Sequence, residues 1–68
     1  MRQISGKEFC RILESNGWIL KRINGSHFIF SKPNFNVRIS VPVHGNNPLK
    51  IGLLKSLLKV AHIEEDSL

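Results

Sequence analysis

The sequence predicts an α+β fold. Two helices cover one face of a three-stranded antiparallel sheet, giving a two-layer sandwich in the order α-β-β-β-α. Three observations predict it. Apolar residues recur at helical spacing near both ends of the chain, and Asn24-Gly25 separates two short runs rich in β-formers. Residues 36–43 alternate between apolar and other side chains.

Each element has a local cause. Ser5-Gly6-Lys7-Glu8 reads as a capping box, with Ser5 as the N-cap and Glu8 reaching back to it. Phe9, Ile12 and Leu13 then form one stripe, and Asn16-Gly17 ends a helix over residues 6–15. Cys10, beside that stripe, reads as a small half-buried hydrophobe. Trp18 to Ile23 is a strand and Ser26 to Ser31 its return. A two-residue Asn24-Gly25 loop between them pairs Ile23 with Ser26 and sets Arg22 directly opposite His27.

Pro33 and Asn34 mark a turn over Lys32 to Asn36. The alternation of Val37, Ile39 and Val41 with Arg38, Ser40 and Pro42 predicts a third strand over 36–43 with one buried face. Pro42 confines that strand to an edge, or itself to the strand's end. After a loop at His44 to Pro48, Ile51, Leu54, Leu57, Leu58 and Ala61 make a wide stripe on a helix over residues 50–61. Lys50, Lys55 and Lys59 mark its wet face, and Gly52 weakens its first turn. The acidic tail Glu64-Glu65-Asp66 is expected to fray. With no repeat, linker or low-complexity stretch, residues 1–68 read as one domain.

A domain of 68 residues buries only about 60% of its unfolded surface, so its stability margin is thin. Cys10 is the one cysteine, which excludes an internal disulfide. Cys10, His27, His44 and His62 are too scattered for a structural zinc site. No metal or other cofactor is expected, so packing or a partner protein has to stabilise the fold. The chain opens on a polar, cappable segment with no apolar leader. It also has no stretch near the ~20 apolar residues of a membrane span. A cytoplasmic protein without membrane contact is therefore the expectation.

Ten Lys and Arg stand against five Asp and Glu, a formal charge of +5. Asn16 to Ala61 holds no acidic residue but carries Lys21, Arg22, Lys32, Arg38, Lys50, Lys55 and Lys59. A positive field of that extent suits a polyanion such as nucleic acid, and it equally serves solubility or an acidic protein partner.

Within this field, His27 is the residue with chemical potential. In the expected hairpin, Arg22 beside it disfavours the imidazolium and leaves a neutral base, and Arg22 also offers a planar fork for a phosphate. Ser26 adds a hydroxyl. RNA carries its own nucleophile, the 2′-hydroxyl, so cleavage needs a base and cations around the phosphoryl oxygens. The absence of carboxylates between Asn16 and Ala61 argues against a magnesium-dependent nuclease. Lys21 and Lys50 are candidates to stabilise the charged intermediate, and His44 is a candidate acid. From spacing alone, a structural role is the commoner fate of such a histidine. His62, near a helix end, suits the helix dipole and carries no expected chemistry. Trp18, Phe28, Phe30 and Phe35 could stack on bases, although the core needs some of them.

Taken together, Gly17-Trp18, Arg22, Gly25-Ser26-His27-Phe28-Ile29-Phe30 and Val41-Pro42-Val43-His44-Gly45 resemble the HicA family of mRNA interferase toxins. Leu49 to Leu58 resembles that family's second helix, and the resemblance covers nearly the whole chain. It implies a fold similar to double-stranded-RNA-binding domains and a metal-independent endoribonuclease activity that blocks translation by cutting mRNA. It also implies His27 as the catalytic residue and a HicB-type antitoxin as the partner, with no DNA binding by the toxin alone. The family often has Pro-Gly-Thr-Leu where this chain reads Ile51-Gly52-Leu53-Leu54, so the proline and the threonine hydroxyl are missing here. A non-catalytic RNA-binding module of the same fold and a protein-docking domain are the other readings of the residues.

Overall fold

A computed structural model of the chain describes residues 2–68. The order is α1 (Gly6–Ser15), β1 (Ile19–Asn24), β2 (His27–Ser31), β3 (Ile39–Pro42) and α2 (Ile51–Ala61), then a 3-10 turn at Glu65–Ser67. The strands form one antiparallel sheet in the order β1-β2-β3. The expected α-β-β-β-α fold is therefore present.

Ser5 caps α1 by accepting a hydrogen bond from the Glu8 backbone N–H at 3.1 Å. Only half of the expected capping box forms, because the Glu8 carboxylate accepts from Arg2 at 2.7 Å instead of reaching back. At the other end Gly17 is left-handed (φ 91°), and the Trp18 N–H bonds to the Leu13 carbonyl at 3.0 Å. That 6→1 closure turns the chain so that Trp18 drops into the core. His62 ends α2 in the same way, left-handed at φ 60°, with the Ile63 N–H on the Leu58 carbonyl at 3.0 Å.

Phe9 and Leu13 of α1, Trp18, Phe30 of β2, Ile39 and Val41 of β3, and Leu54, Leu58 and Ala61 of α2 meet in a single core. The isolated pairing of Ser5 with Pro48 joins Ile4 and Leu49 to it, through a 2.8 Å bond from the Leu49 N–H to the Ile4 carbonyl. All these side chains lie on one side of the sheet, as the two-layer expectation requires.

Three local expectations need correction. The hairpin loop is Gly25-Ser26, with Asn24 paired to His27 and Arg22 to Ile29. Gly25, at φ 62°, occupies the first central position of a two-residue turn, which suits a II′ geometry better than the I′ turn expected of Asn-Gly. The third strand covers only Ile39–Pro42, because its last rung is Phe30 with Ile39 and residues 36–38 have no partner. Pro42 does end an edge strand, as expected. The tail does not fray: Ile63 is buried and Leu68 packs against the core, so apolar burial folds Glu65–Ser67 into a short turn.

α1 meets the sheet at one tight point. A Cβ on Gly6 would lie 2.1 Å from the Pro42 carbonyl oxygen, so backbone rests on backbone there. Gly6→Ala is expected to destabilise the protein by about 1–3 kcal/mol through overpacking. Chemical denaturation checks it, and an unchanged midpoint would count against the contact.

Cys10 is buried, more deeply than the half-burial expected, and burial, with a smaller contribution from the Glu14 charge, pushes its thiol up to about 11. Because the fold disfavours the thiolate, this stabilisation is full below the unfolded thiol pKa and is lost as pH rises towards about 11. An alkylating reagent applied near the free-thiol pKa of about 8.5 should leave native Cys10 unmodified and label it on unfolding. Rapid labelling of the native protein would contradict this.

Candidate active site

The face of the sheet away from the helices carries Asn24, Arg22 and Ile19 from β1. His27, Ile29 and Ser31 lie on the same face from β2, and Ser40 and Pro42 from β3. These residues are exposed or half-buried, in contrast to Phe30, Ile39 and Val41 on the opposite face. Strand alternation produces the division, since successive side chains point to opposite faces.

His27 is the first residue of β2 and is exposed. Its Nδ1 lies 3.1 Å from the Ser40 hydroxyl oxygen. Ser40 is a functional candidate that sequence reasoning missed. The alternation of β3 grouped it with Arg38 and Pro42, away from the buried face, but only the β2–β3 register brings it to His27. That register pairs His27 with Pro42 and Ile29 with Ser40. Pro42 has no N–H, and the ladder closes beyond it through the Val43 N–H to the Ser26 carbonyl at 2.8 Å. This bond ties the hairpin loop to the end of β3.

The other residues expected at the site fall in four places. Ser26, in the turn, adjoins His27. Arg22 is not opposite His27 but one rung along the same face; such diagonal positions are roughly 7–8 Å apart, within reach of a long side chain. The direct opposition expected to hold His27 neutral is therefore absent. His44 and Lys50 come together, lining with Pro42, Asn47 and Leu53 a cleft of about 320 Å³ beside the His27 end of the sheet. Lys50 is also the N-cap of α2 and makes no side-chain capping bond. Lys21 is not part of this group. It is the extra residue of a bulge between Leu20 and Arg22, and it shares a separate groove with Lys32 and Arg38.

Arg2–Glu8 is the one ion pair among the described residues, so the cations around His27 carry no carboxylate partner. No group of three or more His, Cys, Asp or Glu is placed to hold a metal ion among those residues. No described helix is long and apolar enough to cross a membrane. The geometry thus offers an imidazole oriented by a hydroxyl, with a guanidinium on the same face and a second histidine and a lysine in the neighbouring cleft.

The Ser40 contact can be read directly. Ser40→Ala should change the tautomer balance of the His27 ring in nitrogen-15 NMR while the amide spectrum stays folded. An unaltered imidazole pattern would mean that the hydroxyl does not orient the ring.

Comparison with known families matches residues 6–63 to the HicA toxin of bacterial toxin–antitoxin systems. Among curated proteins, none matches the chain. The matched span takes in both helices, all three strands and His27, Ser40, His44 and Lys50, and the chain belongs to the HicA family of toxins, whose systems pair each toxin with an antitoxin.

Proposed function

We propose that this toxin is a metal-independent endoribonuclease that cuts mRNA with His27 and so blocks translation, and that a HicB-type antitoxin restrains it in the cytoplasm. The observation that carries the reading is the His27–Ser40 pair on an open, acid-free face of the sheet.

With Nδ1 carrying the hydrogen and donating to Ser40 Oγ, Nε2 keeps its lone pair and is free to act as a base. His27 takes the proton of a 2′-hydroxyl, the 2′-oxygen attacks the adjacent phosphorus, and the bond to the 5′-oxygen breaks. Arg22, on the same face, holds a phosphoryl oxygen by its fork, and Lys50 adds positive charge from the cleft. Ser26, in the turn next to His27, offers its hydroxyl to the phosphate. The leaving 5′-oxygen must gain a proton, and His44 in the cleft lined by Pro42 supplies it. The products are a 2′,3′-cyclic phosphate and a 5′-hydroxyl. All carboxylates lie in α1 or after Ala61, so the donor set offers no magnesium cluster and the reaction draws on nitrogen bases alone.

An antitoxin that lies over the sheet face would cover His27 and Arg22 together. It would also add stability to a small domain by binding only the folded form.

The test is incubation of the protein and of His27→Ala with a defined mRNA in excess EDTA. Cleavage by the parent and a loss of about 10²-fold or more in the variant are expected, with cyclic phosphate ends. A folded His27→Ala that cuts at the parental rate would overturn the assignment, as would 5′-phosphate ends. RNA binding without any cleavage would leave a binding module in its place.

A further inference from the structure

Lys21, Lys32 and Arg38 line one groove of about 360 Å³ with Ser31, Ile19 and Phe35. It lies at the end of β2 remote from His27, since β2 runs from His27 to Ser31 and four residue steps of a strand span about 13 Å. None of the three cations has an acidic partner among the described residues. Lys32 is not free to wander: its ammonium sits 5.1 Å from the centre of the Phe35 ring and 5.9 Å from that of Trp18. Such contacts hold a cation in place while leaving its charge uncompensated. The bulge at Lys21 re-aims that side chain, a common use of bulges near functional sites.

Between this groove and His27 runs the open face of the sheet. Ile29 is half-buried on it, and Ile19, paired with Ser31, is 47% exposed. The surface therefore carries cations along its length, in the groove, at Arg22 opposite Ile29 and at Lys50 by the His27 end, with Ile19 and Ile29 as apolar points among them. The cations suit the phosphates of a strand and the isoleucines offer apolar contact to base faces, and a positive track along the backbone is what grooves for single-stranded nucleic acid share. A face about 13 Å long is too short to follow the two successive minor grooves by which duplex RNA is usually gripped.

We propose that the Lys21–Lys32–Arg38 groove is a second phosphate-binding site, which anchors the backbone of a single RNA strand that crosses the open sheet face to reach His27. The inference deepens the ribonuclease reading and rests on it for the position of the cut. The groove explains what Lys21 does once the fold has taken it away from His27.

The experiment is the salt dependence of binding to a 2′-O-methyl oligoribonucleotide of about ten nucleotides, a length within the range such grooves cover. The methyl group removes the nucleophile, so the intact protein can be used. Lys21→Gln/Arg38→Gln is expected to weaken binding and to flatten the plot of log affinity against log salt by about 0.7 for each phosphate that is no longer neutralised. A labelled dinucleotide, too short to reach from His27 to the groove, should show a smaller change. Lys32 is left intact because its contacts with Trp18 and Phe35 belong to the fold. If circular dichroism shows the double variant unfolded, Lys21→Gln alone, at an exposed bulge, carries the test. A folded variant with the parental slope and affinity overturns the inference and turns the groove towards an acidic protein surface. A parent that binds no oligonucleotide overturns it too. A parent that binds through the groove but cuts no RNA overturns only the ribonuclease reading.

Discussion

The contact between Gly6 and the Pro42 carbonyl fixes how α1 lies on the sheet, and much of the molecule follows from it. A helix brought this close to an edge strand cannot slide without opening a gap beneath Phe9 and Leu13. The last residue of β3 is thereby held, and with it the rung that pairs Pro42 with His27. Val43 then meets the Ser26 carbonyl, and the chain leaves the sheet towards His44 and the start of α2. The His27–Ser40 hydrogen bond, the hairpin loop and the His44–Lys50 cleft therefore share one mechanical reference. A core of this size has few other ways to hold an exposed site steady.

The distribution of charge complements that geometry. The acidic residues are confined to α1 and the tail, where Glu8 pairs with Arg2 and Glu65 and Asp66 belong to the closing turn. Everything between Asn16 and Ala61 is neutral or basic, and this stretch supplies the whole open face of the sheet. A phosphate approaching that face meets no fixed negative charge from the same elements. The apolar residues on the face, Ile19 and Ile29, are few and dispersed among polar ones, which suits a nucleic-acid track better than a dry protein interface.

Most of the fold was legible in the sequence because its signals are local. Ser5 and Gly17 bound α1, the stripe from Leu54 to Ala61 draws α2, and Pro42 closes β3, each through the conformational preference of a few neighbouring residues. The HicA family was legible as well, in the order of Gly25-Ser26-His27 and Pro42-Val43-His44. The tail was misread because its three acidic residues outweigh, in composition, the two apolar anchors Ile63 and Leu68 that bury it.

Element order, the single buried face, the basic middle of the chain and the presence of His27 at a turn were readable from the residues alone. These depend on periodicity, capping and composition, which a local window contains. The surroundings of His27, by contrast, depend on contacts between distant segments of the chain. A shift of the hairpin loop by one residue moved Arg22 off the opposing rung, and a bulge removed Lys21 to another groove. The pairing of β2 with β3, reached across an irregular connection, brought in Ser40. Register across strands is set by turn geometry and by the burial of distant side chains together. Asn24-Gly25 alone is compatible with more than one loop, and only the packing of Phe30, Ile39 and Val41 against the helices selects the one that the protein adopts.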